Sequence, residues 1–212
     1  MPENLSGALS MAQQICWDET HGYTTEVNGV STGRQLNPDC DCSSFVCHCL
    51  YQNGFNIYEW GDTNTIINTL SNYPGFLHLI FDPNSTQLVH GDILVSEGYG
   101  ASAHTFFYAE NVVGYTGNTS ATGILSRARI EASSDRGHHQ AGDQDNGSGC
   151  HNEVWVHPYS FDTGDTRVWH LFRWLNGPGP GPGSLTFEQQ IALYSSLNRR
   201  RKDESIRYKV FY

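Results

Sequence analysis

Residues 176–183 read NGPGPGPG, and this stretch limits the fold more than any other. Proline at every second position removes backbone donors and fixes φ, so neither a helix nor a strand ladder can run through it. The chain therefore divides into residues 1–176, a linker at 177–183 and a C-terminal piece at 184–212. The first part is long enough for one domain with a substantial core. The last part has twenty-nine residues, too few for a comfortable core of its own. Its Thr186-Phe187-Glu188-Gln189 resembles a capping box, Phe187, Ile191, Tyr194 and Leu197 form a helical stripe, and 206–212 alternate like a strand. This helix–strand appendage is expected to dock on the main domain or on a partner, for self-association, virion attachment or wall targeting.

Within residues 1–176 the periodicity changes once. Residues 4–17 place Leu5, Leu9, Ala12 and Cys16 at helical spacing. Residues 18–41 are polar and contain glycine, hence loop. Residues 43–52 form a second helix with Phe45/Cys49 and Val46/Leu50 pairs, stopped at Asn53-Gly54. Residues 63–71 make a third, short helix. After this the signals are for strands: residues 91–95 (GDILV), 104–109 (HTFFYA), 126–132 (SRARIEA), 153–156 and 167–175, all rich in β-branched or aromatic residues. Helices followed by strands predict an α+β domain with an antiparallel sheet. Residues 133–152 form a polar, Gly-rich loop. Trp155, Trp169, Trp174 and Tyr99 read mostly as core.

Charge narrows the partners. Residues 1–183 hold six arginines and no lysine against nineteen acids, whereas residues 184–212 hold six basic residues against three acids. An acidic body does not suit nucleic acid. No segment approaches the ~20 apolar residues of a membrane span. The first residues carry neither a basic n-region nor a long apolar stretch, so synthesis without a secretory signal is expected. That expectation also weakens a disulfide reading of the six cysteines.

The chemistry concentrates at Asp41-Cys42-Ser43-Ser44-Phe45, where a loop enters the second helix. A thiol is a useful nucleophile as thiolate. The unpaired N–H groups and the dipole of a helix N-terminus stabilise that charge. The first-turn N–H of Cys42 can also help bind an oxyanion, and Ser43 and Ser44 leave room for substrate backbone. A cysteine nucleophile needs an imidazole to deprotonate it and later to protonate the leaving amine. His104, at the head of an aromatic strand-like run, fills that need. Glu131, on the next strand, can accept the imidazole's other N–H and fix its tautomer. Asp135 and His139 are the alternatives for this third place.

The order DCSSF, then GDIL, then H-x-x-x-Y, then an acidic or polar residue on the next strand resembles the NlpC-type papain-like peptidases. It is also similar to the cysteine-histidine-dependent amidohydrolase/peptidase (CHAP) modules and bacteriophage peptidoglycan amidases. The resemblance spans roughly residues 5–175. It implies a papain-like domain with Cys42 as nucleophile, His104 as base and Glu131 as orienting residue. Tyr23, Asp41 and Ser43 would line the substrate and oxyanion side. The implied function is a peptidoglycan hydrolase, an N-acetylmuramoyl-L-alanine amidase or an endopeptidase. It would be made in a host cytoplasm and reach the wall at lysis or on a phage particle, as endolysin or virion-borne lysin. Thr105-Phe106 departs from the small aliphatic residues usual after the motif's histidine.

Other readings accompany these. Cys40, Cys42, Cys47 and Cys49 have spacing unlike the C-x2-C pairs of zinc sites, and at about 100° per residue Cys47 and Cys49 diverge on a helix, so no metal is expected. Cys16 and Cys49 read as small core residues, and His90 as a turn residue. Asp143-Gln144-Asp145-Asn146-Gly147 resembles a calcium loop but lacks glycine at its sixth position and glutamate at its twelfth. It reads as a polar loop; calcium is the ion it would take, and no cofactor is expected. Alternatives to the hydrolase are an idle wall-binding or structural phage protein on the same fold, and a thiol amidase or acyltransferase with a non-wall substrate.

Overall fold

A computed structural model describes residues 2–17, 21–23, 40–98, 103–116, 122–133, 153–162 and 164–175. The linker, the C-terminal appendage, Tyr99, Asp135, His138, His139, Cys150, His151 and the calcium-loop residues 143–147 lie outside them, as does most of the 18–41 loop.

Among the described residues three helices come first: α1 (Leu5–Cys16), α2 (Cys42–Gln52) and α3 (Thr63–Leu70). Eight described strands follow: β1 (Phe76–Ile80), β2 (Ile93–Ser96), β3 (Thr105–Ala109), β4 (Val112–Tyr115), β5 (Thr122–Leu125), β6 (Ala128–Ser133), β7 (Glu153–Pro158) and β8 (Trp169–Trp174). The domain is α+β, as the change of period predicts. Each helix starts where a short polar side chain satisfies an orphan amide. Asn4 accepts from Gly7 N at 2.9 Å, Asp41 from Ser44 N at 2.7 Å and Asp62 from Thr65 N at 2.7 Å. Helix α2 ends at Asn53-Gly54, with Gly54 at φ 88°.

Strands β1-β8-β2-β3-β6-β7, in that order, form one antiparallel sheet, and β4-β5 form a separate hairpin. The last of the described strands, β8, lies between β1 and β2. Because side chains alternate along a strand, the sheet has two apolar faces. Ile93, Val95, Phe107, Ile130, Val154, Val156 and Phe172 share a core with α1 and α2. Leu94, Phe106, Tyr108, Trp169 and Leu171 share a second core with Phe81, Leu88, Tyr159 and Phe161.

Helix α2 is the centre of the first core. From Cys42 to Leu50 only His48 escapes full burial. A helix covered nearly all round needs small or apolar residues throughout, which explains its serines and cysteines. Cys16 and Cys49 are core residues, 1% and 0% exposed.

Two segments were not expected. Strand β1 is short and only half-buried, so it carries little alternation. The β4-β5 hairpin separates β3 from β6 in sequence, so Glu131 is not on the next strand along the chain. It is on the next strand in space, because β6 pairs with β3. The chain leaves β3 through Asn111, at φ 54°. It then crosses β7 at Gly114, where a Cβ would come within 2.6 Å of the Val156 carbonyl oxygen.

Candidate active site

The site is assembled from the first turn of α2, the head of β3, the C-terminal end of β7 and the middle of β6. Asp41 caps α2 through both of its neighbours. Its carboxylate accepts from Ser44 N and, at 2.8 Å, from Ser43 Oγ, while Ser44 Oγ accepts from Asp41 N at 3.0 Å. This reciprocal cap fixes the direction in which the helix begins. Asp41 and Ser43 are thereby occupied in holding the first turn. Cys42 follows as the first helical residue, 7% exposed and not in a disulfide. Its sulfur stands where the helix dipole favours negative charge.

His104 immediately precedes β3. Its backbone is held to Ser96 on both sides: His104 N donates to Ser96 Oγ at 2.8 Å, and Ser96 N donates to the His104 carbonyl at 2.8 Å. The ring stands edge-on to Trp169 at 6.4 Å between centroids. Its Nε2 is 2.9 Å from Glu131 Oε2, and the ring is also hydrogen-bonded to the Cys42 side chain. With Nε2 on the carboxylate, Nδ1 is the nitrogen that serves the sulfur. Burial pulls the imidazole pKa down, but Glu131 and Cys42 together outweigh it and push His104 up to about 10.

Glu131 is 3% exposed and holds partners on both oxygens. Oε2 meets His104, and Oε1 accepts from His157 Nε2 at 2.8 Å. Arg129 Nη1 stands 3.8 Å away. Burial alone would favour the neutral acid, yet the two imidazoles hold the carboxyl well below its ordinary range. Glu131 is therefore a buried anion, kept charged by its histidines.

Tyr23 forms a parallel bridge with Cys40, which brings it beside the start of α2. Burial raises its hydroxyl pKa, and Cys42 and Asp41 add to the effect, so the phenol remains a donor. Sequence reasoning named Cys42, His104, Glu131 and Tyr23, and all four converge here. It missed His157, which sits in a plain apolar–polar alternation on β7 with no motif around it.

The GDIL segment has a different task. Gly91, at φ +94°, lies against Leu5. Asp92 is fully buried and takes both forks of Arg173, Nε at 2.8 Å and Nη2 at 2.6 Å, together with Val89 N at 2.8 Å. It clamps the start of β2 to β8. His90, in the turn, accepts from Glu110 N at 3.0 Å.

Among the described residues no group of three or more His, Cys, Asp or Glu side chains is arranged to hold a metal ion. Among them, too, no helix is long and apolar enough to cross a membrane. No protein-family model matches the chain, and no curated protein matches its sequence.

Proposed function

We propose that this chain is a cysteine amidohydrolase of the papain-like NlpC/CHAP type that cuts an amide or peptide bond of bacterial peptidoglycan. One observation carries the reading. A thiol at a helix N-terminus is hydrogen-bonded to an imidazole whose other nitrogen is held by a buried carboxylate.

The chemistry follows from that arrangement. The imidazolium of His104 and the start of α2 stabilise the Cys42 thiolate. Sulfur attacks the amide carbonyl, and the negative charge moves to oxygen, where the Cys42 N–H and the Tyr23 hydroxyl are the available donors. Collapse of the adduct breaks the C–N bond, and His104 gives its proton to the departing amine. This leaves a thioester and a neutral imidazole. Water then loses a proton to His104 and attacks the thioester, releasing the acid and restoring the ion pair. Glu131 stabilises the imidazolium and fixes the ring, and it does not itself become protonated.

The wall as substrate rests on the order of the DCSSF, GDIL and HTFFY motifs. The route to the wall, release at lysis or carriage on a phage particle, follows from the same resemblance. Purified peptidoglycan digested with the wild type and with Cys42→Ala, followed by mass spectrometry of the products, tests both parts. New amine ends that need Cys42 support the proposal. Their position separates cleavage at the muramoyl lactyl group from cleavage within the stem peptide. Wall binding without new ends in the wild type would reduce the protein to a binder.

A further inference from the structure

Glu131 has two oxygens, and only one is used by the catalytic base. The other is taken by His157, which no motif singles out. A glutamate side chain has several soft torsions, and its terminal one is broad, so a single hydrogen bond to His104 would leave the carboxylate plane free to swing. A second donor on Oε1, 2.8 Å away, removes that freedom. A carboxylate only accepts, so His157 must present Nε2–H to it.

The His157 ring is held in turn. Trp155 lies nearly parallel to it, 4.0 Å between centroids at 16°, and Trp155 Nε1 donates to Ser133 Oγ at 2.8 Å. Ser133 and Glu131 project from the same face of β6, and Trp155 and His157 from the same face of β7. The cross-strand partners Glu131 with Trp155 and Arg129 with His157 set this register. The chain of contacts therefore begins and ends on one strand, with the carboxylate fixed inside it.

We infer that His157 is a positioning residue for the Cys42–His104 pair, holding the plane of Glu131 so that its second oxygen meets His104 Nε2. This rests on the reading of Cys42 and His104 as an ion pair, and the test separates the two. Alkylation of Cys42 by iodoacetate and by iodoacetamide, read at that residue by tandem mass spectrometry, needs no wall substrate. An imidazolium beside the thiolate attracts the anionic reagent, so the ratio of the two rates reports how well His104 is held. The read-out is taken at Cys42 alone, and the other described cysteines, Cys16, Cys40, Cys47 and Cys49, are at most 1% exposed.

The wild type is expected to prefer iodoacetate. His157→Phe keeps a ring against Trp155 but loses the donor, and His157→Asn is too short to reach Glu131. Both are expected to lose most of that preference and to lower kcat on soluble wall fragments by about 10- to 100-fold at unchanged KM. His157→Gln, whose amide nitrogen stands close to where Nε2 stood, is expected to restore both. If His157→Phe does not fold, His157→Asn decides alone. A wild-type preference that survives in both donor-less variants, or a Gln variant no better than Asn, would overturn the inference and leave the ion pair intact. No preference in the wild type would overturn the ion pair and this inference with it.

Discussion

Two networks in this domain use the same residue types in a different order. In one, Glu131 is the middle member, with His104 on one oxygen and His157 on the other. In the other, a histidine is in the middle: His170 Nε2 meets Glu97 Oε1 at 2.8 Å, and His170 Nδ1 meets His78 Nε2 at 2.7 Å. The position of the carboxylate decides what each can do. A central, buried anion stabilises positive charge on His104, which is pushed up to about 10 although it is buried. A terminal anion that is 55% exposed is screened by water. There, burial and the neighbouring His170 lower the His78 pKa, so charge on His78 is disfavoured. The first arrangement stores an imidazolium beside a thiol. The second joins β1 to β8.

The strongest way to break this contrast is to remove the thiol, which only the first network has. Cys42→Ala is expected to abolish wall cleavage, a loss of at least about 10³-fold, with the fold retained by circular dichroism. Retained cleavage would put the chemistry elsewhere. Next in size, Glu131→Gln keeps the shape and removes the central charge. Activity is expected to fall by up to about 10⁴-fold. Because burial then acts on His104 without its counter-charge, the alkaline limb of the pH–rate profile should move down. An unmoved limb would mean that Glu131 does not set the His104 charge.

A subtler consequence concerns stability. His104 is raised above its ordinary 6.5, so its pairing stabilises the fold fully below that pH and is lost as pH rises towards 10. Glu131 is lowered from its ordinary 4.5, so its contribution is present above that value and is lost as acid protonates the folded carboxyl. The gap in urea midpoint between the wild type and Glu131→Gln should be widest between these two values and should narrow on either side. A gap independent of pH would contradict the coupling. The smallest effect belongs to the second network. Glu97→Gln is expected to cost about 1 kcal/mol or less and to leave kcat unchanged. A large loss of activity there would show that the two networks communicate.

The two networks also differ in how readable they were. Asp41, Cys42 and the helix behind them are local: a cap, a small nucleophile and an apolar stripe within one dozen residues. His104 could be placed at the head of an aromatic-rich run and Glu131 within an alternating one, in the motif order that the resemblance supplied. His157 and the Asp92–Arg173 clamp could not. Their partners lie 26 and 81 positions away, and no periodicity connects residues so far apart. The β4-β5 hairpin escaped for another reason. Val113 and Ile124 face outward at 52% and 77% exposure, so the apolar residues of the hairpin do not report an inner face. The same mixing hid β1, a strand with no fully buried residue.

The placement of β8 bears on how a ribosome can deliver this domain. While the chain is emerging, β1 has no companion, β2 shows an open edge, and Asp92 has no cation to meet. All three wait for residues 169–174, the last of the described strands to leave the exit tunnel. Maturation is thus bound to be late and dominated by distant contacts, and a nascent chain stalled before that point would offer two sticky strands to its neighbours.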